Sequence, residues 1–245
     1  MTGPTQFPHS KVVPHVEWLA ARKEYLAKEK EFTRLRDELS RQRRELPWEK
    51  VEKLYVFDGP QGKQTLADLF QTRSQLFVHH FMFSPAWKEG CPICSLWADH
   101  YDPLVIHLAN RDVAVTAISR APLPQIEDYK RRMGWHFQWV SSFGTDFNYD
   151  YHVSFTPEEL ANGEVYYNYA MRKAGTEEAH GGSVFYKDEN GDIFHTYSTY
   201  SRGVDILLGV YNFLDLMPKG RDESNLRFGM AWVKRHDRYT DTSSF

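Results

Sequence analysis

From Val16 to Glu45 the chain has no Gly or Pro and is rich in Ala, Leu, Glu, Lys and Arg, which predicts one long helix. Tyr25, Phe32, Leu39 and Leu46 recur every seven residues with Leu35 between them, forming one apolar stripe. The stripe is expected to pack on the body of the protein. A dimer seam is the alternative, but the heptad run is short and its d positions include polar residues. Pro47 ends the helix.

Beyond Pro47 the hydrophobic period changes. Lys53 to Phe57 and the turn residues 58–63 predict a strand entering a hairpin-like turn, and Thr65 caps a short helix through Phe70. Gln75 to Phe83 is an apolar, β-branched and aromatic run, the pattern of a buried central strand. After a loop over 84–91, Pro92 stands where a first helical turn tolerates proline, and the helix is expected to run to about His107. Asp112 to Ser119 reads as a second buried strand, and Pro124 to Met133 as a helix stopped by Gly134. Residues 135–183 are aromatic and weakly periodic, so an insertion of short elements is expected there. Ser183 to Ser198 alternates around Asn190-Gly191, a hairpin signal, and Val204 to Leu216 predicts a final amphipathic helix. The charged tail after Pro218 is expected to lie over the surface.

Strand, helix, strand, helix, antiparallel hairpin and helix is the thioredoxin order, here with a peroxiredoxin-like lead-in. The predicted fold class is therefore α/β: a thioredoxin-like three-layer α/β/α domain with a central mixed sheet and a long N-terminal helical extension. Residues 1–47 form the tail and long helix, 48–235 the domain, and 236–245 a C-terminal tail.

The 245 residues, 41% hydrophobic and 15% aromatic, suffice for a core without structural metals or disulfides. A net charge of −3 argues against a nucleic-acid partner. The polar start MTGPTQFPHS lacks the apolar segment of a signal peptide, and no run reaches the length of a membrane span, so a cytoplasmic location is expected. Only two cysteines occur, and in a reducing compartment any bridge between them is expected to be transient.

Those two cysteines carry the candidate chemistry. Cys91-Pro92-Ile93-Cys94 follows a buried strand and opens a helix. Unpaired amides and the macrodipole at a helix N-terminus favour the thiolate. Lowering a thiol from about 8.5 to about 7 raises the thiolate fraction at pH 7 roughly fifteen-fold. Cys91 is then the nucleophile, and Cys94, one helical turn on, is the resolving thiol. Disulfide reduction, its reverse and peroxide reduction through a sulfenic acid all remain open. A zinc site has one CxxC and would have to recruit His79, His80 or His100, while two inert core cysteines are the plainest alternative.

Other residues add less. Lys88, three positions before Cys91, is a candidate source of positive potential. Trp87 and Trp97 bracket the cysteines, as groove walls or as core. Asp99 and Asp102 lie on the CxxC helix, where a buried carboxylate would accept the Cys94 proton and a solvated one would do nothing. His79 and His80 alternate along a strand and face opposite ways, so they form no paired ligand site. Tyr149, Tyr151, Tyr166, Tyr167 and Tyr169 line a cleft or pack an insertion, with packing favoured. Gly181-Gly182 is too weak a signal for a phosphate loop.

The phrases YVFDGPQGK, FMFSPAWKEGCPICSLWADHYD, FNYDYHVSF, VFYKDENGDIFHTYSTYSRG and LDLMPKGRDE resemble a bacterial family of unknown function, over roughly residues 10–235. That family is classed as thioredoxin-like and described as a predicted dithiol–disulfide oxidoreductase or isomerase. The resemblance implies that the redox pair falls on Cys91 and Cys94. A dithiol of this kind is expected to need no bound cofactor and to take a protein or small-molecule disulfide or dithiol as its partner. Two departures accompany it. Where thioredoxins carry a cis-proline facing the CxxC, this chain reads Gly181-Gly182-Ser183-Val184. The peroxiredoxin pattern Pro-x-x-x-Thr/Ser-x-x-Cys is also absent, because Pro85 stands six residues before Cys91 with no Thr or Ser between. A thiol peroxidase and a non-catalytic redox sensor or interaction scaffold are the functional alternatives, with a homodimer as the alternative to a monomer.

Overall fold

A computed structural model describes residues 11–240. The N-terminal decapeptide, on which the absence of a signal peptide was read, and residues 241–245 of the expected tail lie outside the described residues. Helix α1 (His15–Arg43) starts behind Pro14, with Glu17 in its first turn and Arg41 and Arg43 in its last, matching the helix dipole. Contrary to expectation, its stripe does not pack on the body. No residue of α1 is buried, and Tyr25, Phe32 and Leu39 are 59%, 64% and 51% exposed. The physical reason is that the domain's own helices already occupy both faces of its sheet.

That sheet has eight strands in the order β1-β10-β9-β4-β5-β6-β2-β3. The strands are β1 (Glu49–Lys50), β2 (Val56–Gly59), β3 (Gly62–Thr65), β4 (Gln75–His80), β5 (Val113–Ser119), β6 (Gln138–Ser141), β9 (Gly181–Lys187) and β10 (Ile193–Tyr200). β4, β5 and β6 run parallel, while the hairpin β9–β10 joins β4 antiparallel and β2–β3 joins β6 antiparallel. Strand β6 falls inside the stretch read as an insertion. It is a core strand, and the inserted part shrinks to α6 (Phe147–Asp150), α7 (Pro157–Ala161) and the hairpin of β7 (Glu164–Tyr167) with β8 (Ala170–Lys173).

One face of the sheet is covered by α3 (Pro92–Tyr101), α5 (Leu123–Met133) and α8 (Gly209–Leu216), the other by α2 (Leu66–Leu69) and α6 (Phe147–Asp150). Strand alternation divides the core accordingly: Leu76, Val78 and Ile118 join Phe57, Phe70 and Phe147, whereas Phe81, Val115 and Trp139 join Cys94, Trp97 and Tyr129. This is the thioredoxin-like three-layer arrangement. A capping box between Thr65 and Asp68 starts α2, as the sequence suggests, and Gly134 ends α5 in the left-handed conformation.

Two helices are shorter than expected. Asp102–Leu104 is a 3₁₀ turn that separates α3 from α4 (Val105–Ala109), because Pro103 cannot donate to the helix. Likewise Ser201–Leu207 is a 3₁₀ segment, and only Gly209–Leu216 is α-helical. The glycines at the start of β9 have a packing role. A Cβ on Gly182 would lie 2.7 Å from Cζ of Phe77 and 3.3 Å from the Trp97 ring, directly beneath the CxxC helix. Gly182→Ala is expected to destabilise the fold by about 1–3 kcal/mol through overpacking, read as a lower urea midpoint at unchanged slope.

Candidate redox site

Chain direction brings Cys91 to the end of the central strand. Beyond β4 the Phe81 amide donates to Ile118 O at 3.0 Å, and the Ala121 amide donates to Phe83 O at 2.7 Å, which keeps this segment beside β5. The loop then doubles back, and the Cys91 amide donates to Met82 O at 3.0 Å. Gly90 permits this return, since a Cβ there would lie 2.6 Å from the Phe81 ring. Cys91 becomes the N-cap of α3 with Pro92 in the first turn.

Both cysteines are free thiols, Cys91 half-buried and Cys94 buried beneath it. The Cys94 thiol donates a hydrogen bond to the Cys91 sulfur, and the amides of Cys94 and Ile93 point at the same atom. Together with the positive Arg235 guanidinium they outweigh burial and lower the Cys91 pKa to about 7. Burial, followed by the hydrogen bond to Cys91, pushes Cys94 well above the ordinary thiol range. The two thiols are thus differentiated into a half-buried, acidic one and a fully buried, protonated one.

A polar scaffold holds the Cys91 backbone. Its carbonyl accepts from the Ser95 amide at 2.9 Å and from Ser95 Oγ at 2.8 Å. Ser95 Oγ lies 2.8 Å from Tyr129 Oη, which accepts from Arg235 Nε at 3.0 Å. Arg235 also donates to Gly90 O through Nη2 at 2.6 Å and pairs with Glu89 at 2.9 Å. Glu89 further binds Arg132 and Arg238, so the C-terminal segment is strapped across the loop that precedes the CxxC. Arg235 is one of two residues acting on the thiols that the sequence does not reveal. It stands 144 positions from Cys91 in a tail read only as charged, and no spacing signals the contact. Alkylation of the reduced protein by iodoacetamide is expected to titrate with a midpoint of about 7, and Arg235→Gln to move that midpoint upward.

The other candidates take different places. Lys88 is exposed and makes no hydrogen bond or ion pair among the described residues. Trp87 is half-buried against the core cluster that contains Cys94. Asp99 accepts from Trp135 Nε1 and from the His236 ring, both at 2.7 Å, and Asp102 accepts from the His136 and Phe137 amides. The buried carboxylate that acts electrostatically on Cys94 is instead Glu178, held by Arg120 at 2.6 Å and Ser154 at 2.7 Å. His79 bonds Tyr101 and lies 4.1 Å from the Trp97 ring, His80 bonds Ser183, and His100 accepts from the Val210 amide. Each of these three histidines is used structurally, His79 and His100 on the α3 side of the sheet and His80 on the other, beside Phe147 and Tyr151.

Two clefts matter here, one of them beside the cysteines. One of about 580 Å³ is lined by Ile93 of the CxxC together with His180, Ser201, Leu208, Tyr211 and Met230. The other, about 520 Å³, lies on the far side of the sheet. Tyr151, Tyr166 and Tyr169 line it with Tyr55, Tyr200 and His195, so part of the tyrosine cluster walls a cleft instead of packing as expected. Tyr149 and Tyr167 do pack, the former against Arg120 and the latter donating to His180 O. No helix among the described residues is long and apolar enough to cross a membrane.

Fold and site together define a thioredoxin-fold protein with a CxxC dithiol at the start of the helix that follows its central strand. Residues 7–239 match the family described as "Bacterial protein of unknown function (DUF899)", and the chain belongs to that family. No curated protein matches it in sequence. Similar solved structures include peroxidoxin BcpB from Mycobacterium tuberculosis, 14% identical over 67% of this chain and 94% of that one, with a TM-score of 0.40. Peroxiredoxin Q from Xanthomonas campestris is 12% identical over 66% of this chain and 96% of that one, with a TM-score of 0.41. The mitochondrial 2-Cys peroxiredoxin from Plasmodium falciparum is 12% identical over 69% and 92%, with a TM-score of 0.37.

Proposed function

We propose that this protein is a dithiol–disulfide oxidoreductase working through Cys91 and Cys94 in a cytoplasmic, reducing setting. The observation that carries the reading is the division between the thiols: Cys91 half-exposed at a helix N-cap and acidified to about 7, Cys94 buried and protonated. The Cys91 thiolate attacks one sulfur of a substrate disulfide, forming a mixed disulfide and expelling the other sulfur as a thiolate that takes a proton. Cys94 then loses its proton and attacks the Cys91 sulfur, releasing the second substrate thiol and closing the Cys91–Cys94 disulfide. Two electrons pass to the substrate, and an external dithiol returns them. The cleft beside Ile93 is the natural place for a protein or small-molecule disulfide to lie.

The test is a redox titration of the pair in glutathione or dithiothreitol buffers, read by thiol alkylation and mass spectrometry. A single reversible two-electron transition is expected, absent in Cys91→Ser. If no intramolecular disulfide forms at any poise, the proposal fails.

A further inference from the structure

The exposed stripe of α1 carries its own charge code. With Trp18, Tyr25, Phe32 and Leu39 at heptad position a, position d holds Ala21, Lys28, Leu35 and Gln42. Placing the aromatic stripe at d instead would put Arg22, Glu29 and Arg36 at a, so the first frame is the one that buries fewer charges. In that frame all four g positions are acidic: Glu17, Glu24, Glu31 and Glu38. The e positions are Arg22, Glu29, Arg36 and Arg43. The helix stays in register for four heptads, about 43 Å, without a buried residue, and within the chain its side-chain ion pairs join only α1 and its flanks. A solitary helix of this kind leaves several large apolar side chains in water, which marks an unfilled interface.

We infer that α1 is the dimerisation element of this protein and pairs with α1 of a second copy as a parallel two-stranded coiled coil. Parallel pairing sets each g residue against the e residue five positions on in the second copy. Glu17 then meets Arg22, Glu31 meets Arg36, and Glu38 meets Arg43. Only Glu24 meets an acidic residue, Glu29, and that carboxylate is already 2.8 Å from Arg22 of its own helix. Antiparallel pairing sets g against g and e against e, bringing glutamates to glutamates along the whole seam. The charge pattern therefore selects both the occupant and its direction. Lys28 and Gln42 at d weaken the seam and make pairing concentration-dependent. The two domains would emerge side by side from the same end of the coil, where Arg43 rests 4.9 Å from the Tyr197 ring.

The test uses the full chain and sedimentation equilibrium from 1 to 100 µM. The expected result is a shift from 28.8 kDa towards twice that mass, with Phe32→Glu/Leu39→Glu remaining at the single-chain mass and melting like the parent. A triple Glu17→Arg/Glu31→Arg/Glu38→Arg variant and a triple Arg22→Glu/Arg36→Glu/Arg43→Glu variant are each expected to be monomeric alone and to dimerise when mixed. Direction is read in a Cys91→Ser/Cys94→Ser background, where Trp18→Cys is expected to cross-link only in a parallel pair. A wild-type mass that stays single at 100 µM overturns the inference. So does a dimer that survives Phe32→Glu/Leu39→Glu, or a Trp18→Cys dimer that does not cross-link.

Discussion

Cys94→Ser is expected to turn the protein into a trap that holds its substrate as a mixed disulfide on Cys91. The first step needs only the Cys91 thiolate. In the variant a serine hydroxyl can still donate to the Cys91 sulfur and stay within the same buried space. The second step fails, because resolution depends on a thiol held one helical turn away, and no external thiol matches the effective concentration of such a neighbour. With a small disulfide supplied in excess, mass spectrometry is expected to find close to one substrate moiety per chain on Cys94→Ser and none on Cys91→Ser. Steady-state disulfide reduction is expected to fall at least about 10³-fold in Cys91→Ser, since the nucleophile itself is gone. A Cys94→Ser protein that turns over at the parental rate would remove Cys94 from the cycle. An adduct on Cys91→Ser would place the chemistry elsewhere.

What the sequence revealed, and what it hid, follows from the range of the interactions involved. The CxxC, the strand before it and the proline that opens its helix are adjacent along the chain, so local pattern sufficed to find them. The hairpin about Asn190-Gly191 and the capping box at Thr65 were legible for the same reason. Strand β6 was hidden because Gln138–Ser141 is short and mixes polar with aromatic residues, its sheet membership resting on pairing with β5. Pro103 was visible in the sequence, and a stricter reading would have ended the CxxC helix at Tyr101. The fate of α1 was undecidable from periodicity, since a stripe says that something covers it and not what. Arg235 and Glu178 were out of reach altogether. Their effects on the two thiols come from the fold bringing distant segments together, and no spacing encodes that.

Glu178 gives the second large expected effect, on stability as a function of pH. It is 2% exposed, and burial, opposed by Arg120 and by the hydrogen bonds from Ser154 and Arg120, raises its pKa from 4.5 to about 7. A carboxyl group that binds its proton more tightly when folded stabilises the protein most below the unfolded pKa. That contribution disappears as pH rises through about 7. The amount at stake is on the order of 3 kcal/mol. Wild-type stability alone does not isolate it, because burial lowers the pKa of His79, His80 and His180 and makes stability rise with pH over part of the same range. The difference between wild type and Glu178→Gln does isolate it, since the amide keeps partners for Ser154 and Arg120 and cannot ionise. Urea unfolding from pH 5 to pH 8 is expected to show Glu178→Gln gaining on wild type by roughly 2–3 kcal/mol between pH 5 and about 7, and levelling off above that. A difference that stays flat would mean that Arg120 holds Glu178 ionised throughout, as an ordinary buried ion pair. The same titration bears on the redox pair, because an ionised Glu178 raises the Cys94 pKa further. Rising pH still increases the Cys94 thiolate that resolves the mixed disulfide, but ionisation of Glu178 near pH 7 offsets part of that increase, so Glu178→Gln is expected to steepen the pH dependence of resolution.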